Sequence, residues 1–451
     1  MKIIIVGLGK VGHTLADELS KEGTDITVVD CREEAVQAVS AQYDLMGVVG
    51  NGASYSTLME AGIEEADLLI AVTSSDELNL LCCLIARKAG NCQTIARVRS
   101  YEYSTEIDFI KEELGLAMVI NPEATAAVEI ARNLKFPSAI DVDSFAKSRV
   151  DILKFRVPEQ SVLDNMKLSE LSSKIHSNVL ICGVERGEEL IIPNGDVALK
   201  AKDLISFVSE ANDANQFFRR AGIVSNQVKN LMIVGGGSVA FYLAKMLLEA
   251  GIRVKIIEKN LKRCEQLCEL LPKATIVHGD GTDKDLLMEE GIDRYESFAS
   301  LMNIDEENIL LSLYAKKAGN MKTITKISRI AFDEVIRELN LDTIIHPKEI
   351  TAEHIIRYVR SMKNSMGSNV ETLHKIIDGK AEALEFVIRH RSRVTDIPLL
   401  ELKIRKGILV ACITRSGRVI IPRGFDKMQI GDTVIIVTRH KGLNDIDDIL
   451  A

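Results

Sequence analysis

The chain has 451 residues, is 46% hydrophobic and 27% charged, and carries a net charge of −9. That is the composition of an ordinary globular protein, and its acidic balance argues against a nucleic-acid binder, which presents a basic face. No apolar run reaches the roughly 18 residues that a membrane span needs. The sequence enters a strand almost at once, so neither a span nor a signal peptide is expected.

From the first residues, short apolar runs alternate with helical patterns. Strands are expected at 2–6, 25–29, 45–49, 67–72, 93–98 and 116–120. The helices between them space their apolar residues for one face, as in "ELNLLCCLIARKAG", which ends in Gly90. Such alternation predicts an α/β fold, a parallel sheet covered on both faces. Six strands is the full doubly wound, Rossmann-type count.

The first strand, Ile3 to Val6, runs into Gly7, Leu8, Gly9, Lys10, Val11 and Gly12, a G-x-G-x-x-G that opens a helix. The first glycine permits a tight turn, the second lets the backbone approach a pyrophosphate, and the third allows close helix–sheet packing. The phosphates would sit at the positive end of the helix. Asp30 ends the second strand, where a carboxylate accepts hydrogen bonds from ribose hydroxyls and repels a 2′-phosphate. That selects NAD over NADP but does not separate NAD from ATP or ADP. Asn51 and Gly52 follow the third strand, Thr73 and Ser74 the fourth, and Arg97 closes the fifth. These complete the first candidate site.

Residues 148–210 change character. "VDILKFRV", "NVLICGVERGEELIIP" and "DLISFVSE" read as strands joined by Gly-containing turns, and "KLSELSSKI" as a short helix. This is a small α+β module, preceded by "NLKFPSAID" as a linker.

The chain then repeats itself. Gly7 matches Gly235, Asp30 matches Glu258, "VVGNGAS" matches "VHGDGTD", Asn79 matches Asn308, and "LIIPNG" matches "VIIPRG", at a spacing constant to a residue or two. This is a tandem duplication. The expected order is sheet domain (1–135), small module (140–222), sheet domain (229–360) and small module (370–451). "SMKNSMGSN" is the second linker, and the small module's elements are expected to recur over 381–439. The second candidate site comprises Gly235, Gly236, Gly237, Ser238, Val239, Glu258, Asp280 and Gly281, with Ala240 at the third glycine position. Thr73 and Ser74 become Met302 and Asn303, and Arg97 becomes Lys326. The second pocket should be less polar and bind NAD more weakly or prefer a smaller adenine nucleotide.

No Ser/His/Asp, Cys/His or P-loop pattern has supporting context. The eight cysteines follow no metal spacing and read as small buried residues in a reducing compartment. Two nucleotide domains without a catalytic domain suggest sensing. The alternatives are an NAD-dependent oxidoreductase and an unattached NAD-binding scaffold.

The series "GLGKVG…VVD…GNGAS…AVTSSDELN…ARVRS…NPE", then "IIP.GD…KD", then the whole again, resembles the RCK (KTN) family, which regulates the conductance of potassium. The resemblance covers the whole chain, and the duplication is specific, since most relatives have one Rossmann unit and one small module. It implies a cytoplasmic, non-enzymatic regulator, peripheral on the inner face of the membrane. It also implies a homo-oligomer, a dimer or tetramer forming a ring beneath an integral-membrane potassium channel or transporter subunit of the TrkH/TrkG kind. NAD or NADH would occupy the first unit, and an adenine nucleotide or NAD the second.

Overall fold

In the first unit β1 (Lys2–Val6), β2 (Asp25–Asp30), β3 (Met46–Val49), β4 (Leu68–Ala71), β5 (Gln93–Arg97) and β6 (Met118–Ile120) form one sheet, ordered β3-β2-β1-β4-β5-β6. Every pairing in it is parallel. Residues Ile3 to Val6 are all buried, because helices cover both faces of β1. The computed structural model describes all residues except 137, 146–149, 188, 224–227, 320, 329–334, 337, 338, 340, 366–369, 377–379 and 441.

The helices of this unit are α1 (Lys10–Ser20), α2 (Glu33–Tyr43), α3 (Tyr55–Glu60), α4 (Asp76–Gly90), α5 (Tyr101–Thr105), α6 (Ile107–Leu114) and α7 (Pro122–Lys135). Chain order reverses between β1 and β4. The loops at the carboxyl ends of these two strands therefore splay apart and leave a crevice, the usual ligand position in such sheets.

The first small module holds β7 (Asp141–Phe145), β8 (Val150–Arg156), α8 (Leu168–Ile175), β9 (Leu180–Arg186), β10 (Glu189–Ile191), β11 (Leu204–Ser209) and α9 (Ala211–Arg220). Its sheet is antiparallel, ordered β10-β9-β11-β8-β7. Phe155, Phe207, Phe217 and Phe218 meet edge-on or tilted in its core.

The second unit repeats the first: β12 (Asn230–Val234), α10 (Ser238–Glu249), β13 (Arg253–Glu258), α11 (Leu261–Leu270), β14 (Thr275–His278), α12 (Lys284–Glu289), β15 (Ser297–Ser300), α13 (Asp305–Ala318), β16 (Lys322–Lys326), β17 (Thr343–Ile345) and α14 (Pro347–Ser365). Its parallel sheet is ordered β14-β13-β12-β15-β16-β17. The second module has β18 (Val370–Ile376), β19 (Ala381–Val387), β20 (Ile408–Arg415), β21 (Arg418–Ile420) and β22 (Thr433–Thr438), ordered β18-β19-β22-β20-β21.

Three expectations are corrected. The short helix of the first module does not recur, because residues 397–404 run through turns and bridges instead. There the latter part of the segment is tied to residues 449–451: Arg405 N–H donates to the Ile449 carbonyl, the Lys403 carbonyl accepts the Ala451 N–H, and Ile404 bridges Leu450. The linkers are also shorter than expected. Residues 133–135 belong to α7, Asp141 already starts β7, and 361–365 belong to α14, while 366–369 lie outside the described residues.

The third correction concerns which helix covers which sheet. Ala126, Ala127, Ile130 and Leu134 of α7 are buried in one cluster with Leu231, Ile233, Leu243 and Leu247 of the second unit. Conversely, Ala352, Ile355, Ile356 and Val359 of α14 are buried with Ile3, Ile5, Leu15 and Leu19 of the first. The two units have exchanged their last helices. The modules share a core too: Phe145, Ile152, Cys182 and Val208 pack with Ala383, Cys412, Ile435 and Val437. Burial pushes both the Cys182 and Cys412 thiols up to about 12, as for inert packing residues.

Candidate nucleotide sites

Gly7 adopts φ of +98°, which a side chain disfavours, and a Cβ there would lie 2.8 Å from the Thr73 backbone nitrogen. A Cβ on Gly12 would lie 1.9 Å from the Gly7 carbonyl oxygen. The turn is thus closed against side chains at its first and third glycines, whereas Gly9 faces open space. A Cβ on Gly52 would run into Val6, so the loop after β3 is equally tight.

Asp30 sits at the mouth of this turn. Its carboxylate accepts the Leu8 N–H at 2.7 Å, the Arg32 N–H at 2.9 Å and the Arg32 guanidinium at 3.1 and 3.2 Å. Burial raises its pKa, but the Arg32 side chain and the two N–H groups outweigh that and leave the carboxyl below its ordinary value. It is therefore ionised at neutral pH and fixed in orientation by Leu8 and Arg32. The N–H of Leu8 is already engaged, and the side chains of Leu8 and Val11 are buried in the core. What remains for a phosphate is the backbone of Gly9 to Gly12 at the start of α1.

The opposite wall is set by a residue that sequence reading treated only as a repeat marker. Asn79 is completely buried on α4. Its Oδ1 accepts from the Thr73 N–H (2.8 Å) and hydroxyl (2.7 Å), and its Nδ2 donates to the Thr73 and Arg97 carbonyls. The Arg97 guanidinium donates to the Thr73 carbonyl at 3.1 Å. Burial, and then the nearby Arg99, lower the Arg97 pKa below its ordinary value. Asn51 is spent locally, accepting the Ala53 N–H at 3.0 Å.

The second turn repeats this chemistry. Gly235 has φ of +97°. Glu258 accepts the N–H groups of Gly236 (2.6 Å) and Asn260 (2.7 Å), and the Arg263 guanidinium donates to the Gly236 carbonyl at 2.8 Å. Asn308 holds the N–H and carbonyl of Met302 and the Lys326 carbonyl, as Asn79 does in the first unit. Gly281 packs on Val234 as Gly52 packs on Val6. Asp280 is held down to about 2 by Lys259, with which it pairs at 2.6 Å, and by the N–H and hydroxyl of Thr282. The Val239 side chain is buried, so only its backbone is available to a ligand.

Predicted site residues of both units, Ser74 and Ser238, line one shared cleft. Ser238 opens α10 but lines a cleft of about 580 Å³ with Ser74, Asp76, Arg99 and Ser100 of the first unit and Phe241, Tyr242 and Arg263 of the second. Lys10 likewise faces the other half: burial and the Lys10 ammonium together push Lys348 down to about 8. Each glycine-turn helix thus presents its first residue to the opposite unit, which the exchanged helices α7 and α14 hold in place.

The TrkA-N domain family matches residues 3–122 and 231–347, and the TrkA-C domain family matches 152–222 and 383–451. The "Trk system potassium uptake protein TrkA" of Haemophilus influenzae is 34% identical over 448 residues, 98% of this chain and 96% of the relative. A homolog from Archaeoglobus fulgidus is 31% identical over the full length of both. Among solved structures, one described as the GsuK channel bound to NAD superposes with a TM-score of 0.63 at 16% identity, over 97% of this chain and 76% of that one. Another, described as GsuK bound to ADP, gives 0.50 at 14% identity, over 80% and 69%.

Proposed function

The chain belongs to the TrkA family of tandem TrkA-N and TrkA-C proteins, and from that premise we propose that it is a nucleotide-sensing regulatory subunit of a potassium uptake system. The observation that carries the sensing role is the first glycine turn, with Asp30 ionised at its mouth and held there by the Leu8 N–H. NAD(H) fits there: the pyrophosphate on the backbone of Gly9 to Gly12, the ribose on Asp30, and Thr73, Ser74 and Arg97 at the far wall. The second turn takes an adenine nucleotide or NAD, with Glu258 on the ribose and Asn303 and Lys326 in place of Ser74 and Arg97. Relatives named as potassium uptake proteins, and structures described with NAD and with ADP, support this reading.

Among the described residues no helix is long and apolar enough to cross a membrane, so a transport role acts through a membrane pore subunit, of the TrkH/TrkG kind. A ligand shifts that pore only by binding two arrangements of the halves with different affinity. The shared cleft supports this reading, because its walls come from both units and include Ser74 of one and Ser238 of the other. About 1.4–3 kcal/mol per site is enough for strong control when several sites act together.

The test is potassium flux through the pore subunit in liposomes. It should depend on both this protein and a nucleotide. Flux unaltered by the protein, or by disabling both glycine turns, would refute gating and leave an unattached NAD-binding scaffold. Within the site, Asp30→Ala removes charge-assisted hydrogen bonds worth about 1.5–3 kcal/mol, a roughly ten- to hundredfold loss of NADH affinity. Calorimetry giving an unchanged Kd would remove Asp30 from the site.

A further inference from the structure

The two small modules share topology but differ at one tip, where the segment before the third strand meets the loop after the fourth. In the first, Ser169 N–H donates to the Gly195 carbonyl, and the tip residues Ser169 and Asp196 are exposed and polar. In the second, Leu400 N–H donates to the Gly424 carbonyl at 2.8 Å, and the corresponding tip residues are Leu400, 73% exposed, and Phe425, 83% exposed. Ile430, five residues beyond, is 58% exposed. Single exposed apolar residues are common, but two on hydrogen-bonded neighbouring loops, where the sister repeat is polar, form a patch of the kind that marks an interaction site.

The charge around the tip selects that partner. Between residues 388 and 431 there are ten Lys and Arg against three Asp and Glu, within a chain whose net charge is −9. The equivalent stretch of the first module, 157–202, has five against seven. Arg423 and Lys427 flank Phe425 and are exposed, as is Lys403 beyond Leu400. The Asp426 carboxylate between them is engaged by the Arg423 N–H at 2.7 Å. Lys427 is bridged to Pro398, which holds these cations beside the Leu400 turn.

We infer that this tip docks on an anionic lipid surface, with Leu400 and Phe425 entering the headgroup layer and Arg423, Lys427 and Lys403 meeting lipid phosphates. Apolar insertion and basic attraction together make the combination that holds a protein reversibly on a membrane. Only one tip per chain is built this way, so it fixes which module lies nearer the bilayer.

The purified full chain, without any pore subunit, is floated with vesicles of phosphatidylglycerol and phosphatidylethanolamine, or of phosphatidylcholine alone. It should float with the anionic vesicles and not the zwitterionic ones, and release as salt rises. Leu400→Ser with Phe425→Ser should lower the floated fraction by about tenfold, and Arg423→Glu with Lys427→Glu likewise. All four positions are exposed, and an unchanged melting temperature would show that both variants fold. Failure of the wild type to float, or equal flotation of the Ser variant, overturns the inference. So does a Ser variant that floats normally but loses an oligomer by light scattering, which would assign the tip to contact between copies. None of these outcomes bears on nucleotide gating, which is read from potassium flux.

Discussion

Replacing Gly12 by Ala should weaken the proposed NAD(H) binding at the first turn by about thirtyfold or more while leaving the second turn competent. The added methyl would sit 1.9 Å from the Gly7 carbonyl oxygen, and backbone cannot yield as a flexible side chain can. Either Gly7 leaves its φ of +98° or α1 moves off the sheet, and both displace the N–H groups that would meet the pyrophosphate. A shift of that kind costs about 2–3 kcal/mol, a loss of roughly thirty- to more than a hundredfold in affinity. Isothermal titration with NADH should lose its first-unit isotherm, and circular dichroism should keep its helical signal. The second unit carries Ala240 at this position, so Ala240→Gly should change little. An unaltered NADH Kd in Gly12→Ala would mean that the ligand does not use this turn.

A charge placed in α14 should unfold the opposite half of the protein. Ile355 is wholly buried among Ile5, Leu15 and Leu19 of the first unit. Ile355→Asp puts a carboxylate there without a partner and should cost upward of about 4 kcal/mol. The loss should appear, by amide hydrogen exchange, in β1, β2 and α1, far away in sequence, before the second sheet. Ile130→Asp in α7 should do the reverse and expose β12 and α10. Loosening confined to the substituted helix's own unit would contradict the exchange.

Much of the sheet architecture was legible because β1, β4 and β12 are buried on both faces and so read as nearly unbroken apolar runs. The glycine turns and their acidic partners were legible for a different reason: Gly7 and Gly235 need a positive φ, and Asp30 and Glu258 both place a carboxylate at the end of the second strand. The exchange of α7 and α14 was not. An amphipathic helix declares that it has an apolar face, not which of two equivalent sheets that face will cover. The missing helix of the second module was hidden because "LLELKIRKG" keeps helical spacing while Lys403, Ile404 and Arg405 pair with residues 449–451. Ser238 was placed in its own turn's site, although the cleft it lines belongs to both units. Asn79 and Asn308 were visible as a matched pair, but a buried amide that clamps a loop looks, in sequence, like any other polar helix residue.

The exchanged helices also set an order of events during synthesis. The second sheet finds its covering helix, α7, already made, and can close as its own strands emerge. The first sheet must wait for α14, more than 220 residues later, which at ribosomal rates is a delay of about 10–45 s. For that interval the apolar face of β1 and α1 is open to water and to other nascent chains. Contacts between residues this far apart also slow folding, because a long loop must be closed before they form. Overproduction without added chaperone should therefore yield aggregates nucleated by the first sheet. Moving α14 ahead of β1 by circular permutation should relieve them.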